Sequence, residues 1–538
     1  MKKTIRICIV AFACFLLLVS CSDSMMDMSD TVQANPITIT YMANGGVGSM
    51  GVQDANANKA ITLKDSAFKL SGKIFTGWNT SADGSGKLYA AGEWTYFATD
   101  TILYAQWATV LTADTTTLTD AAYALSEDVK LSERITVSGN VRLILLEGTK
   151  LVADKGIEVS SGNTLVIDGS SKKYGELEAY ASSGQYSAIG CGSDEVLGTI
   201  IINGGKVYAN GQTFESYDGI GIGAARGGSG GSVTINGGNV SATGGYEEGA
   251  IGNSSCDTVI VINNGSISLG GGGGFLGVAT INGGRIKFDN TANNGAPGEL
   301  TINNGEISVG ENGYMSGNIT INGGYITGSG GIGSITAKKL VVNSGTLVFT
   351  NSSGIYGDDI TVNGGSIYCE GDTSLAFGCK QSGGSITING GTITAITNSS
   401  FGSAFGFGYN TVSGSITING GTIKAIAEKN AYCGICGGGK KGNPSTVTIT
   451  INGGFINASA SCYTGCGIGR GLLPYEGTIR ISGGIISASG GNGGYAIGSP
   501  SGNTTVIVEN VEMLVSSDNS NWSSFDGSKC ERYMKTNF

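Results

Sequence analysis

The sequence predicts an all-β protein, most of which is a parallel β-helix, a solenoid of short strands stacked rung upon rung. The first observation is a repeated phrase (β-branched, Thr, β-branched, Asn, Gly, Gly) such as Val233–Gly238, Ile319–Gly324 and Ile449–Gly454. The second is spacing: from Asn263 to Asn363 the phrase recurs every 19 to 21 residues, too closely for helical crossovers between parallel strands. The third is an alternation of period two around each Asn, which turns one side of every strand inward.

An apolar column four residues after each Asn is expected to fill the interior of the solenoid. Its members are Val207, Val240, Ile267, Ile286, Ile307, Ile326, Leu347, Ile367, Ile393, Ile423, Ile456 and Ile486. The Gly-Gly pair turns the chain between strands, and the Asn column is expected to stack amide upon amide. A β-propeller and a β-sandwich array are the alternative folds. The step of about 20 residues argues against both, since one propeller blade needs about 40–45 residues.

Residues 1–20 have a basic start and an apolar core, and Leu18–Cys21 follows as a short box. This segment resembles a bacterial lipoprotein signal peptide, which implies that Cys21 carries a lipid; an ordinary secretory signal is the alternative. Residues 21–36 are predicted to be a flexible acidic tether. They resemble the export signals of Gram-negative surface lipoproteins, which implies a lipid-anchored protein exposed on the outer membrane.

Residues 37–107 differ from the solenoid and hold three of the four tryptophans. Four stretches are similar to the Listeria–Bacteroides repeat, also called the internalin B-repeat type: Tyr41–Gly46, Phe75–Thr80, Ala82–Gly86 and Leu103–Trp107. The resemblance implies a small β-grasp-like module with a spacer or adhesion role. Four aromatic residues are expected to form its compact core rather than a ligand platform: Trp78, Tyr89, Tyr104 and Trp107.

Residues 108–515 are assigned to the solenoid, with Thr115–Leu131 expected to cap its first rung, and residues 516–538 to a C-terminal cap. Longer rungs carry a second phrase, Ala-Ile-Gly, as at Tyr495–Gly498. The two phrases together resemble pectin-lyase-like β-helices of carbohydrate-binding surface proteins. That resemblance, with the usual crossover preference, implies a single-stranded right-handed parallel β-helix.

Composition narrows the function. The net charge is −10, and removal of residues 1–20 takes away three cations and no acid, which leaves −13. Nucleic acid is therefore not expected as a partner, since phosphates require a basic surface. Glycans, or polymers of a host or bacterial surface, are the expected partners, with the membrane reached through the N-terminal lipid.

No catalytic residue is assigned. The chain contains no histidine, which removes the commonest general base. A polysaccharide lyase or glycoside hydrolase would then need Asp or Glu, or Lys or Arg with calcium, on neighbouring outward columns. The two columns beside the turn hold one acid, Glu306, and therefore no carboxylate pair. Adhesion or glycan binding without catalysis is the main interpretation; a pectin-lyase-like enzyme and a purely structural stalk remain the alternatives.

No cofactor is expected, although calcium binding is left open. Acidic doublets such as Asp194-Glu195, Glu247-Glu248 and Asp358-Asp359 fall between rungs, where solvated loop charge is the expected role. The weak candidates for a metal site are Cys433, Cys436, Cys462 and Cys466. Burial as small apolar side chains, or disulfides between rungs, is preferred for them.

The longer rungs also concentrate aromatic residues. Exposed rings there would stack on sugars, whereas buried rings would fill wider coils. The candidates for glycan stacking are Phe401, Phe405, Phe407, Tyr409, Tyr463, Tyr475 and Tyr495.

Overall fold

The structure is a computed structural model. It describes residues 35–169, 175–213, 218–245, 248–253, 255–290, 298–311, 313–329, 334–351, 354–371, 374–380, 382–400, 402–408, 411–439, 446–470, 476–500, 503–526 and 531–537. Within these ranges all regular elements are strands, and no helix is long and apolar enough to cross a membrane. The predicted signal peptide and Cys21 lie outside the described residues.

The strands that precede each Asn form the first sheet of the solenoid. Its β-branched, period-two segments favour extended backbone with one buried face. The strands are Ala122–Ala124, Asn140–Leu145, Thr164–Gly169, Thr199–Ile202, Ser232–Ile235, Val259–Ile262, Val278–Ile281, Glu299–Ile302, Tyr314–Ile321, Ser334–Val342, Gly354–Val362, Ser385–Ile388, Ser415–Ile418, Thr448–Ile451, Thr478–Ile481 and Thr505–Val508. Neighbours pair in parallel and in register, as Ile360 does with Ile386.

The strands that follow the Gly-Gly turn form the second sheet, which is again parallel. They are Val129–Leu131, Lys150–Ala153, Glu176–Tyr180, Lys206–Asn210, Asn239–Thr243, Ser266–Gly271, Arg285–Asn290, Glu306–Val309, Tyr325–Ser329, Thr346–Thr350, Ser366–Gly371, Thr392–Thr397, Thr422–Ala427, Phe455–Ala460, Ile485–Ser489 and Glu512–Ser516. Every residue of the predicted inward column is buried. The predicted solenoid of parallel rungs is therefore confirmed.

The Ala-Ile-Gly phrases lie on the third side of the rungs, called the third sheet below, in two runs. The first run is a separate seven-stranded sheet from Thr117–Thr119 to Gly273–Leu276, and the second run, five strands from Leu375–Cys379 to Ile497–Gly498, joins the first sheet. The strands of both runs are Thr117–Thr119, Ile135–Ser138, Ile157–Glu158, Ile189–Cys191, Ile222–Ala224, Gly249–Gly252, Gly273–Leu276, Leu375–Cys379, Ser403–Phe407, Cys433–Gly437, Cys466–Gly469 and Ile497–Gly498. Between these two runs, the long strands Tyr314–Ile321, Ser334–Val342 and Gly354–Val362 serve both sheets: Gly354–Val362 pairs with Leu375–Cys379 and with Ser385–Ile388. Longer rungs thus have three sides, and the Ala-Ile-Gly phrase supplies the strand of the third side.

Close packing of backbone makes glycine necessary in the third sheet. Gly223 has a φ of +144°, and a Cβ built on it would lie 1.9 Å from the carbonyl oxygen of Gly252. A side chain there would require both a rarely adopted backbone conformation and displacement of the next rung.

The predicted asparagine ladder is present on the outside of the first turn. Each amide Nδ2 donates to the Oδ1 of the preceding rung, for example Asn322 to Asn303 and Asn343 to Asn322, at 2.8 Å in both cases. The ladder comprises Asn203, Asn236, Asn263, Asn282, Asn303, Asn322, Asn343, Asn363, Asn389, Asn419 and Asn452. Ser482 Oγ lies 2.9 Å from the last Oδ1.

The N-terminal module is built from Pro36–Met42, Gln53–Asn56, Ala60–Thr62, Lys73–Asn79, Leu88–Tyr89, Trp94–Tyr96 and Thr101–Val110. Trp78 and Tyr89 are buried in its core, and Trp107 packs against that core. Tyr104 lies instead on the half-buried outer side of its strand, so its assignment to the core was wrong. The alternation along Thr101–Val110 places residue 104 on the other face of the strand from the buried residues 103 and 105.

The junction between module and solenoid corrects a second expectation. Thr115–Leu131 is itself a rung, because its strands pair with the next rung in all three sheets. The edge beyond it is covered by Thr101–Val110, whose residue Thr109 pairs with Tyr123. The module therefore blocks an open strand edge that would otherwise invite association.

At the other end, the last rung is interrupted. Tyr533–Asn537 lies antiparallel between Ile485–Ser489 and Glu512–Ser516, and pairs with both. Ser523–Ser524 adds a short antiparallel strand beside Glu512–Ser516. The segment expected to fold over the final coil instead inserts into the second sheet.

Candidate functional site

An open groove lies where the inserted strand meets the last rungs, and it is called the C-terminal groove below. Its volume is about 430 Å³, within the usual range for small-ligand sites. It is lined by Ser459, Ala460, Ser461, Tyr463, Ser489, Gly490, Gly491, Asn492, Arg532 and Tyr533.

The floor of the groove follows from strand register. Ser459 pairs with Ser489, and Ser489 pairs with Tyr533 of the inserted strand. Since paired residues point to the same face, two hydroxyls and one phenol ring form a row across three strands. This row combines hydrogen-bonding groups with an aromatic surface.

Tyr463 forms one wall of the groove and is 70% exposed. A Cβ built on Gly493 would lie 2.5 Å from Cε1 of its ring, so the ring rests directly on that glycine. The backbone N–H of Gly493 also donates to the Tyr463 carbonyl at 2.6 Å. The ring is therefore supported on one side and open to solvent on the other.

Arg532 lines the groove beside Tyr533. Its Nε donates to the Gly490 carbonyl at 3.3 Å, and its guanidinium carbon lies 5.1 Å from the centre of the Tyr533 ring. The Gly490 N–H donates in return to the Arg532 carbonyl at 2.8 Å. Among the ten described lining residues Arg532 alone is charged, so the groove has a positive wall in an acidic protein.

An exposed surface leads along the strands away from the groove. Phe455 and Ile485 pair in register at its far end, and both are exposed. Asn457 and Ser487 lie between this pair and the floor of the groove. An elongated ligand in the groove would pass over amide and hydroxyl groups towards an apolar patch.

The structure separates the predicted stacking aromatics. Tyr463 lines the groove, and Tyr495 is half-buried outside it. Phe405 and Phe407 are wholly buried, so the expectation that they offer rings to sugars was wrong. Phe405 pairs with Ile435 and stacks on Phe377, with ring centres 5.4 Å apart. Phe401, Tyr409 and Tyr475 lie outside the described residues.

Sequence reasoning missed Tyr533, Arg532 and Asn492. Tyr533 and Arg532 belong to the segment interpreted as a cap, and only its antiparallel insertion brings them to Ser489. No local pattern signals a pairing between segments some forty residues apart. The serines at alternate positions 459 and 461 were the available hint that this edge faces outward.

The candidate metal cysteines take another arrangement. Cys433 and Cys466 are register neighbours on adjacent rungs, and Cys436 accepts a hydrogen bond of 3.3 Å from Nη1 of the buried Arg470. Cys462 is partly exposed at the edge of this cluster. Among the described residues no three His, Cys, Asp or Glu side chains gather closely enough to hold a metal ion.

The pKa values of the buried Cys433 and Cys436 thiols are shifted in opposite directions from the ordinary value. Burial raises the pKa of Cys433, and its hydrogen bond to Cys436 raises it further. Burial alone would raise the pKa of Cys436 too, but the bond from Cys433 and the charge of Arg470 together lower it. The Cys436 sulfur therefore faces the Arg470 guanidinium, which favours its ionised form, and the Cys433 Sγ–H is also placed to donate to the Gly469 carbonyl at 3.4 Å.

The acidic doublets serve local hydrogen bonding where the structure describes them. Glu195 Oε2 accepts from the Gly192 N–H at 2.8 Å, and Asp359 Oδ1 accepts from the Ser385 hydroxyl at 2.7 Å. Glu195 lies at a turn, as expected. Asp358 and Asp359 instead lie within the strand Gly354–Val362, where Asp359 pairs with Ser385, so their assignment to a loop between rungs was wrong. Calcium binding stays a prediction.

Comparison with known proteins places one part of the chain. Residues 38–106 match the Listeria-Bacteroides repeat domain family, in agreement with the resemblance of the N-terminal module. No curated protein and no solved structure matches the chain.

Proposed function

We propose that this protein is a lipid-anchored protein of the outer membrane that binds glycans at its surface without catalysis, through the C-terminal groove. The observation that carries this proposal is that two tyrosine side chains, Tyr463 and Tyr533, line the same groove as hydroxyl, amide and guanidinium groups. Sugars present apolar C–H faces and polar edges, which such a combination recognises.

The chemistry of the lining favours binding over turnover. Cleavage of a glycosidic bond usually requires two carboxyl groups flanking it. The ten described residues of the groove include no carboxylate, and the chain has no histidine. A lyase or hydrolase would need a different surface.

The test is a glycan array probed with the mature chain, with and without calcium. The variant Tyr463→Ala/Tyr533→Ala should lose at least about tenfold in affinity for any glycan that binds, since two stacking rings are removed. The matched control is Tyr325→Ala, which removes a tyrosine that is 47% exposed on the same sheet, far from the groove. The control should bind normally.

Three outcomes would count against the proposal. Equal binding by the double variant would remove the groove as the site. Silence of the array, with normal display on cells, would favour the structural stalk. Formation of product during incubation with the same glycans would favour the pectin-lyase-like enzyme.

A further inference from the structure

The N-terminal module carries an exposed aromatic pair outside the C-terminal groove. Trp94 is 62% exposed and Tyr96 is 66% exposed. They occupy alternate positions of one short strand, and Thr95 between them is buried. Both rings therefore project from the same face of the two-stranded sheet formed with Ala60–Thr62.

This pair lies at the end of the module remote from the solenoid. Thr101–Val110 meets the first rung through Thr109 at its carboxyl end. Its ten residues extend about 30 Å at roughly 3.3 Å per residue. Tyr96 precedes the start of this strand by only a few residues, so the aromatic pair and the solenoid occupy opposite ends.

The chain enters the module beside the same aromatic pair. The Asn35 carbonyl accepts from the Ala57 N–H at 2.8 Å, and the next residue, Asn58, donates to the carbonyl of Phe97 at 2.7 Å. Phe97 directly follows Tyr96. The segment that leads back to Cys21 therefore departs from the edge where Trp94 and Tyr96 are exposed.

We propose that Trp94 and Tyr96 insert into the headgroup region of the lipid bilayer and hold the module against the membrane. Tryptophan and tyrosine suit this boundary, because their rings are largely apolar and each carries a polar hydrogen-bonding group. Lys59, exposed beside the residue that pairs with Tyr96, lies where it can meet a lipid phosphate.

The contact needs little intrinsic affinity. If Cys21 is lipidated, its chain to Asn35 reaches at most about 50 Å, at roughly 3.6 Å per residue. Tethering keeps the aromatic pair at a high effective concentration near the bilayer. Two rings, which would give only weak binding to a protein free in solution, then suffice to orient the module.

The test uses the mature chain with Cys21→Ser, which accepts no lipid, and vesicles of phosphatidylethanolamine and phosphatidylglycerol. Because this chain is free in solution, we expect weak cosedimentation that becomes measurable at high lipid concentration, together with quenching of tryptophan fluorescence by lipids brominated near the headgroup. Trp94→Ala/Tyr96→Ala should lower the partition coefficient about tenfold or more, whereas Trp94→Phe/Tyr96→Phe should retain most of it. Tyr325→Ala is the matched control and should partition normally.

Failure to sediment even at high lipid concentration, or equal sedimentation of the double alanine variant there, would overturn the proposal. So would loss of glycan binding by that variant with vesicle binding unchanged, which would make the pair a sugar site. Tyr463→Ala/Tyr533→Ala should leave vesicle binding intact. A failure of the groove and a failure of the membrane contact are thereby distinguished.

Discussion

The side-chain amide of Asn203 donates a hydrogen bond of 2.9 Å to the buried carboxylate of Asp168. All the ladder amides donate in this direction, so their dipoles add and their positive ends point towards Asp168. Arg142 forms an ion pair with the same carboxylate. Asp168 thus places a negative charge at the positive end of an aligned row of dipoles, as an acid does at a helix N-terminus.

Interruption of the ladder should destabilise the solenoid modestly. Asn322→Ala removes the bonds to Asn303 and Asn343 and should cost about 1–2 kcal/mol, because each exposed hydrogen bond contributes little net free energy. Urea denaturation measures this cost. Asn318→Ala, exposed on the same strand, should change stability by less than about 0.5 kcal/mol; equal costs would contradict a role for the ladder.

Glycines of the third sheet should differ from turn glycines in their tolerance of a methyl group. Gly223→Ala should cost about 3 kcal/mol or more, because its Cβ meets the carbonyl of Gly252 in a strained conformation. Gly148 also has a positive φ, +76°, but nothing lies within 4 Å of its Cβ. Gly148→Ala should therefore cost only about 1–2 kcal/mol. Chemical denaturation of both variants decides the matter.

Truncation of Phe405 should lower stability, whereas truncation of Tyr463 should lower glycan binding. Phe405→Ala leaves a cavity in the core and should cost about 3–5 kcal/mol. Tyr463→Ala should change stability by less than about 0.5 kcal/mol while weakening glycan binding. Thermal denaturation and glycan titration of both variants provide the comparison, and loss of stability in Tyr463→Ala would show that its ring is structural.

The sulfur of Cys436, which accepts a hydrogen bond from the buried Arg470, should matter more to stability than other buried thiols. Cys436→Ala removes the negative partner facing the buried Arg470 and should cost about 3–5 kcal/mol. Cys369 is buried with its pKa raised by desolvation, so Cys369→Ala should cost only about 1 kcal/mol as a small apolar truncation. Similar urea midpoints for the two variants would contradict the thiolate–guanidinium pair.

Asp257 should contribute to acid sensitivity. Its pKa is lowered by hydrogen bonds from Asn253 and from the Gly230 N–H, both at 2.7 Å. A carboxyl with a lowered pKa stabilises the folded state above its unfolded pKa of about 3.9, and this stability is lost as the pH falls through the folded pKa. Asp257→Asn should therefore flatten the decline in stability below about pH 4, measured by melting at several pH values. Asp114→Asn, in an exposed loop, should follow the wild type.

The solenoid could be predicted because each rung repeats the same local physics. Ile326 and Ile393 are buried for one reason, their position four residues after an Asn in a strand of period two. The same logic identifies Phe405 in retrospect, since it replaces Ile in an Ala-Ile-Gly phrase and pairs with Ile435. Aromatic enrichment by itself gave the wrong role for Phe405, because enrichment does not show whether a side chain points into the core or towards solvent.

The groove could not be predicted, because it depends on one non-local choice. The apolar Met534 of Tyr533–Asn537 is buried by insertion beside Ile485–Ser489, and no local sequence pattern distinguishes this insertion from a cover over the last coil. Only insertion brings Tyr533 next to Ser489. The exposed Trp94 went unnoticed for a similar reason, since the period of a three-residue strand is too short to reveal its outer face.

The continuity of hydrogen bonding across Thr109 and Tyr123 has a mechanical consequence. The module and the solenoid share this pairing at two positions, Thr109 with Tyr123 and Val110 with Ala124, and bending at the joint would require these backbone hydrogen bonds to break. A pull on the C-terminal groove, where glycan binding is proposed, would therefore reach the N-terminal module. A protein built in this way transmits load and orientation over its whole length, whereas a flexible linker at residue 108 would absorb both.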